Sequence, residues 1–370
     1  MKICILCSTP YQVFSAINIK LNYFSMESVD IYVFDYFKGA DKLLRRLKKV
    51  KLFNQVIECP LKSLHGQLVK GNKLQRTYEK FKYHSFGKGQ ITRFFKNCIY
   101  DIVFYSNQDP VNEIIISELY RRNKKLIINH YEDGWVDYVF KDKYFYSKRA
   151  QKLNQFWKSP EDFFTRKNSY MYKPEMSEAY KDNHSIVNIN IYPEKALTYI
   201  NEVFGYTKES SIYGNVLYFD TLEENRLGIS MEDHLKILEF CCSVIPKEDI
   251  VVKKHPRNFS EEYKLKGYSI YDFQSVPFEV ICANQNFQNS LLISSFSTAC
   301  FSPKILFGQE PYVILTYKLT GHEYEMDENT QCYLKRICEN YSNPEKILVP
   351  ENYQELKEGI ILYKRYLENE

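Results

Sequence analysis

The sequence predicts an α/β protein built from two doubly wound units, each a parallel sheet with helices on both faces. Three observations carry this expectation. Short apolar runs alternate with helical patterns in both halves of the chain. The runs are continuously apolar rather than alternating with polar residues, as strands buried on both faces must be. The length of 370 residues suits two domains of ordinary size, placed at 1–205 and 206–370.

In the first half the strand candidates are Lys2–Cys7, Val29–Phe34, Gln55–Cys59, Asp101–Tyr105 and Lys125–Asn129. Between them lie helix candidates at Tyr11–Tyr23, Ala40–Val50, Leu68–Lys82 and Val111–Arg122. Pro110 suits a first helical turn, where its missing N–H costs nothing. Residues 140–190 are polar and aromatic, broken by Pro160 and Pro174, and read as helices and loops. A crossing between domains is expected near Pro193–Ser210. The second half resumes with strands at Asn215–Phe219, Ile250–Lys254, Tyr268–Tyr271, Ser290–Ile293 and Tyr312–Leu315, and helices at Met231–Val244, Phe278–Asn284 and Thr298–Phe307. A final helix, Tyr353–Leu367, could pack back across the domain interface.

Apolar residues make up 44% of the chain and charged residues 26%, an ordinary globular balance. Fifty basic against 46 acidic residues give a net charge of +4, too even for a dedicated nucleic-acid binder. The charge is not evenly spread. Residues 41–53 form a basic amphipathic stretch and residues 62–97 are rich in Lys and Arg. Such faces could rest peripherally on an anionic membrane or bind an anionic glycan, or be solvated helix surfaces. The 32 tyrosines and 25 phenylalanines read mostly as packing residues, with some suited to stacking on sugars. The ten cysteines lie mostly in apolar segments and read as buried free thiols of a reducing compartment. Cys4 and Cys7 fall on opposite faces of a strand, which argues against a chelate. The apolar run Ile3–Cys7 is too short for a signal peptide and no run reaches a membrane span, so a cytoplasmic location is expected, with contact at the inner membrane face. A homodimer is compatible with the sequence.

Four polar islands follow strand candidates, where open α/β sheets place ligands. Glu132-Asp133-Gly134 offers a carboxylate able to take a proton from a hydroxyl, with a glycine for a tight turn; it reads equally as an acidic turn with Asp133 capping a helix. Lys253-Lys254-His255-Pro256-Arg257 sets a histidine among three cations, suited to a departing phosphate, or simply ends a strand. Ser294-Ser295-Phe296-Ser297-Thr298 offers hydroxyls and free backbone N–H groups at a helix start, or ordinary capping. Ser8-Thr9-Pro10-Tyr11-Gln12 opens the first helix; Thr9 and Gln12 could bind an acceptor or order the loop.

In this order the islands resemble those of the bacterial sialyltransferases of glycosyltransferase family 52, and more loosely the bacterial polysialyltransferases. The matching motifs are Thr9-Pro10-Tyr11-Gln12, Glu132-Asp133-Gly134, His255-Pro256 and Ser294-Ser295. The resemblance implies a GT-B fold, two Rossmann-like domains facing a central cleft, with the acceptor on the N-terminal domain and a CMP-sugar on the C-terminal one. It implies inverting transfer of sialic acid from CMP-sialic acid to a terminal sugar, such as galactose, of a capsular or lipooligosaccharide glycan. His255 would assist the departing CMP. Lys254, Pro256, Ser294, Ser295, Ser297 and Thr298 would line the donor site. Thr9, Gln12, Glu132, Gly134 and Asp220 would line the substrate site. The base would be Asp133 or, from the loop after Val216–Phe219, Glu223 and next Asp220. No D-x-D occurs, so no metal or other cofactor is expected. The alternatives are a transferase of this fold using UDP-glucose or another CMP-nonulosonic acid, and a non-catalytic nucleotide- or glycan-binding protein.

Overall fold

The computed structural model describes residues 1–83, 88–95, 98–107, 109–134, 136–139, 168–177, 185–191, 193–221, 229–255, 258, 260–273, 275–320 and 328–369. The chain divides into two compact units, Met1–Gly205 and Tyr206–Glu370.

The first unit carries seven strands: β1 (Lys2–Cys7), β2 (Ser28–Phe34), β3 (Gln55–Cys59), β4 (Ile102–Tyr105), β5 (Ile127–Tyr131), β6 (Asn168–Met171) and β7 (Ser185–Asn188). Their order is β3-β2-β1-β4-β5-β6-β7. The second unit carries β8 (Val216–Phe219), β9 (Ile250–Lys253), β10 (Ser269–Ile270), β11 (Leu291–Ser294), β12 (Tyr312–Leu315) and β13 (Ile347–Leu348), ordered β10-β9-β8-β11-β12-β13. Every neighbouring pair is parallel. Strand order therefore reverses once in each sheet, between β1 and β4 and between β8 and β11. Such switch points open a crevice at the strands' carboxyl ends.

The central strands are buried along their whole length, which is why they read as unbroken apolar runs. One core gathers Cys4, Leu6, Tyr32, Phe34, Val103 and Ile115. The other gathers Val216, Tyr218, Ile250, Val252, Ile293 and Ile314. All ten cysteines are free thiols, and Cys4 and Cys7 are both fully buried. Among the described residues no helix is long and apolar enough to cross a membrane.

Several expectations are corrected. The single helix expected over Leu68–Lys82 is two, Lys62–Val69 and Lys73–Lys82. Gly71 breaks it with φ +92, a left-handed conformation natural to glycine, and the Asn72 side chain accepts from the Gln75 N–H at 3.0 Å. The tract read as helices and loops supplies β6 and the edge strand β7, both short and with too few apolar residues to announce themselves. The expected crossing near Pro193–Ser210 is largely the helix Pro193–Phe204, packed against the helix Ala40–Val50. That second helix buries Leu43, Leu44 and Leu47, so the apolar stripe of the basic 41–53 stretch is spent inside the fold. The last helix, Tyr353–Asn369, lies on its own unit's sheet, with Leu356, Ile360 and Tyr363 in the core around β12.

Candidate active site

In the first unit the site grows from the switch point between β1 and β4, with the end of β5 beside it. After β1, Thr9 caps the helix Pro10–Tyr23, its hydroxyl accepting from the Gln12 N–H at 3.2 Å, with Pro10 at the first turn. Gln12 is buried. Its Oε1 accepts from the Ser8 N–H at 2.6 Å and the Ser8 hydroxyl at 2.9 Å. Those two donors fix the amide so that Nε2 donates to Asp133 Oδ1 at 2.7 Å. Thr9 and Gln12 thus order the loop, and Gln12 orients the acid.

The two adjacent acids are treated differently. Glu132 is completely buried. Its carboxylate accepts from the hydroxyls of Tyr11 and Tyr138 and from the Tyr172 N–H at 2.9 Å. Burial pushes its pKa up to about 7 against these donors. Glu132 was expected among the substrate-contacting residues; its carboxylate is instead enclosed by tyrosines. Asp133 keeps partial exposure, and its N–H donates to Asp137 Oδ2 at 2.6 Å. Burial also raises Asp133 to about 7, opposed by Gln12 and, more weakly, Asn107 and Ser106, while the neighbouring Asp137 reinforces the rise. Asp137 Oδ1 lies 3.2 Å from His130 Nε2, which is also 2.8 Å from the Ser106 carbonyl; that nitrogen therefore carries the proton. Gly134 turns the chain with φ +90. The Asp133 side chain turns to Gln12.

In the second unit the acid after β8, Asp220, is almost wholly buried. Its carboxylate accepts from the His255 N–H and from Asn258 Nδ2. Asn258 N–H closes the turn on the His255 carbonyl at 2.8 Å. Burial lifts Asp220 to about 6, opposed first by the His255 backbone and Asn258, then by Lys254 and Lys253. Asp220, expected to touch substrate or serve as base, instead ties down the turn that presents His255, a partly exposed residue. Lys254 is used in the same loop: its Nζ donates to the Ser260 carbonyl at 2.9 Å and lies 3.7 Å from Glu261. Glu223 and Pro256, with Arg257, lie outside the described residues.

The serine pair turns inward. Ser294 is the last residue of β11, fully buried, with its hydroxyl donating to the Phe219 carbonyl at 2.8 Å across the switch point. Ser295 is equally buried, its Oγ 3.5 Å from His234 Nδ1. His234 lies between Tyr218, at 2.7 Å, and Thr221, at 3.3 Å. Ser294 therefore ties β11 to β8, and Ser295 faces His234 of the helix Met231–Cys241. The residues presented beyond them are Ser297, whose hydroxyl accepts from the Ala299 N–H at 3.4 Å, and Thr298, both half-buried.

Sequence reasoning missed Ser106, Asn107, His130, Asp137, Tyr138, Tyr172, His234 and Asn258. Ser106 and Asn107 carried a usable signal, a polar pair directly after a buried strand at the switch point. The others are recruited across long sequence separations. Among the described residues no three His, Cys, Asp or Glu side chains converge as metal ligands would.

Two parallel-sheet Rossmann-like units, each collecting polar groups at its strands' carboxyl ends, are the GT-B architecture of nucleotide-sugar glycosyltransferases. Residues 4–316 match the model of the alpha-2,8-polysialyltransferase (POLYST) family, and the chain belongs to that family. It is a glycosyltransferase of the sialyltransferase type. Solved structures agree on the fold. A glycosyltransferase of kitacinnamycin aligns with a TM-score of 0.56 at 6% identity, covering 97% of this chain and 89% of that one. The spinosyn rhamnosyltransferase SpnG with thymidine diphosphate gives 0.53 at 10% identity, covering 98% and 91%. The UDP-GlcNAc 2-epimerase of Methanocaldococcus jannaschii, with UDP-GlcNAc and UDP, gives 0.52 at 14% identity, covering 98% and 92%. No curated protein sequence matches the chain.

Proposed function

We propose that the protein transfers sialic acid from CMP-sialic acid, with inversion and without a metal, to a hydroxyl of a bacterial capsular or lipooligosaccharide glycan at the cytoplasmic face of the membrane. The family description favours a sialic-acid acceptor joined through an alpha-2,8 linkage over the terminal galactose expected from sequence. The short motifs from Thr9 to Ser295 still support kinship with family 52.

Asp133 is the base. The observation that carries this is the carboxyl group of a half-buried residue at a strand's carboxyl end, raised to about 7 by desolvation and oriented by Gln12 at 2.7 Å. A pKa near the working pH maximises proton acceptance without losing the ionised form. As the acceptor oxygen bonds to the anomeric carbon, its proton passes to Asp133. The bond from that carbon to the phosphate oxygen breaks, and its electron pair leaves on CMP. His255, held through its backbone by Asp220, donates to the departing phosphate. The half-buried Ser297 and Thr298 supply further donors. A donor with a single phosphate needs less charge compensation than a diphosphate, which such groups can provide.

The test is to offer CMP-sialic acid and UDP-glucose side by side with sialylated and galactosylated acceptors, following nucleotide release and product mass. CMP release coupled to a sialylated product is expected. UDP release alone would reassign the donor, and CMP binding without transfer or donor hydrolysis would mean a non-catalytic role.

A further inference from the structure

The helix Lys73–Lys82 exposes an apolar stripe. Leu74 is 82% exposed, Tyr78 65% and Phe81 42%. Their spacing of four and then three residues sets them on one helical face. Val69, ending the preceding helix, adds a side chain 40% exposed. The stripe is held in place, because its ends are tied down. Asn72 and Gln75 exchange backbone–side-chain hydrogen bonds at 2.9 and 3.0 Å. Tyr83, just past the helix, is buried and donates to Gln67 at 2.6 Å. The surrounding segment is strongly cationic: residues 62–97 hold nine lysines and arginines against a single acid, Glu79.

We infer that this helix is a membrane-docking element that seats Leu74, Tyr78 and Phe81 in the interface of an anionic bilayer. Apolar side chains on one face of a short helix within a basic segment are what an interfacial helix requires, the charge drawing it to acidic headgroups and the apolar face holding it there. Two other occupants fit less well. A second copy of the same patch would bring like charges together in an isologous contact. A soluble acidic glycan would satisfy the cations, yet leave Leu74, the most exposed member, without a partner. The preceding helix Lys62–Val69 starts just beyond the carboxyl end of β3. Its His65 lies 3.1 Å from Asp109, which caps the helix that follows β4. The start of that preceding helix therefore lies at the same end of the sheet as Asn107 and Asp133.

The experiment is co-sedimentation of the full chain with vesicles of phosphatidylcholine alone or with one third phosphatidylglycerol, at low and high salt. Wild type is expected to bind the anionic vesicles at least tenfold better than the neutral ones, and to weaken as salt rises. The double variant Leu74→Ser/Phe81→Ser should lose at least tenfold in vesicle partition, with its melting temperature and its nucleotide release unchanged. Lys70→Glu/Lys82→Glu should lose anionic selectivity while keeping the fold. Equal partition of wild type and L74S/F81S, or no binding of wild type to either vesicle, overturns the proposal. So does a change of the double variant from dimer to monomer on sizing, which would make the stripe a self-contact. Equal loss of binding to a soluble sialic-acid oligomer would overturn it in favour of a glycan site.

Discussion

Replacing Asp133 by Asn separates the function of this carboxylate from its cost to the fold. The side chain keeps its shape and can still accept from Gln12, but it can no longer take a proton. Loss of a positioned general base typically lowers turnover by about 10²- to 10⁴-fold, so kcat should fall by that order while the KM for the nucleotide donor changes little. Stability should move the other way. Burial raises the folded-state pKa from 3.8 to about 7, so folding favours the protonated acid. The wild type therefore has its full stability from this group below about pH 4 and loses it as pH rises through 7. At about 1.4 kcal/mol per pH unit, that displacement sets a ceiling of about 4 kcal/mol; partial exposure reduces it to roughly 1–2 kcal/mol. Asp133→Asn should thus be more stable than wild type by about that amount at pH 8.5 and nearly equal to it at pH 4. Urea denaturation at the two pH values measures the difference, and nucleotide release measures turnover. Turnover within threefold of wild type, or a variant destabilised at both pH values, would refute the reasoning.

Other consequences follow from the same geometry. His255→Ala should lower turnover by about 10²-fold or more with little change in melting temperature, because the backbone N–H that anchors the turn on Asp220 remains; near-normal transfer would remove the histidine from the mechanism. Asp220→Ala strands the His255 N–H and Asn258 and should cost about 1–3 kcal/mol, read by denaturant titration, with turnover falling too; an unchanged midpoint would mean the turn does not depend on this acid. Tyr138→Phe leaves the buried Glu132 with one donor fewer and should destabilise by about 1–3 kcal/mol, most at alkaline pH, where Glu132 must ionise. Treatment with EDTA should leave transfer unchanged, and a loss restored by added divalent metal would overturn the metal-free reading.

How legible each feature was depends on how local its cause is. β1, β4, β8, β11 and β12 are buried on both faces, so their composition alone declared them. β6 and β7 sit toward one side of their sheet and read as Asn-Ser-Tyr-Met and Ser-Ile-Val-Asn, which no apolar run distinguishes from loop. Gly71 was visible in the sequence and was passed over inside an otherwise helical pattern. At the candidate site, the island Glu132-Asp133-Gly134 announced itself by its place after β5. Which acid turns inward did not, because the answer lies with Tyr11, Tyr138 and Tyr172, three residues brought together only by folding. That Ser294 and Ser295 turn inward was hidden for a related reason. β11 extends one residue further than expected, so Ser294 becomes part of the ladder, and its hydroxyl meets Phe219 from a strand 75 positions away.

The choice among candidate bases turns on what each carboxylate is already doing. Asp133 and Asp220 share their origin: both follow a parallel strand, and both are raised by burial, to about 7 and about 6. On pKa alone either could accept a proton at neutral pH. Asp220, however, has both oxygens engaged by donors from the His255 turn, one a backbone N–H that cannot leave without unfolding the loop. Protonating it during turnover would weaken the contacts that hold His255 in place, so using it as base would disturb the group that assists departure. Glu132 is excluded by the same reasoning, with two tyrosine hydroxyls and a backbone N–H around it. Asp133 is oriented by the side-chain amide of Gln12, and the Asp133 backbone N–H, not its carboxylate, makes the contact to Asp137. Its protonation during turnover therefore leaves the backbone ties of its loop intact, which is what a reusable base requires.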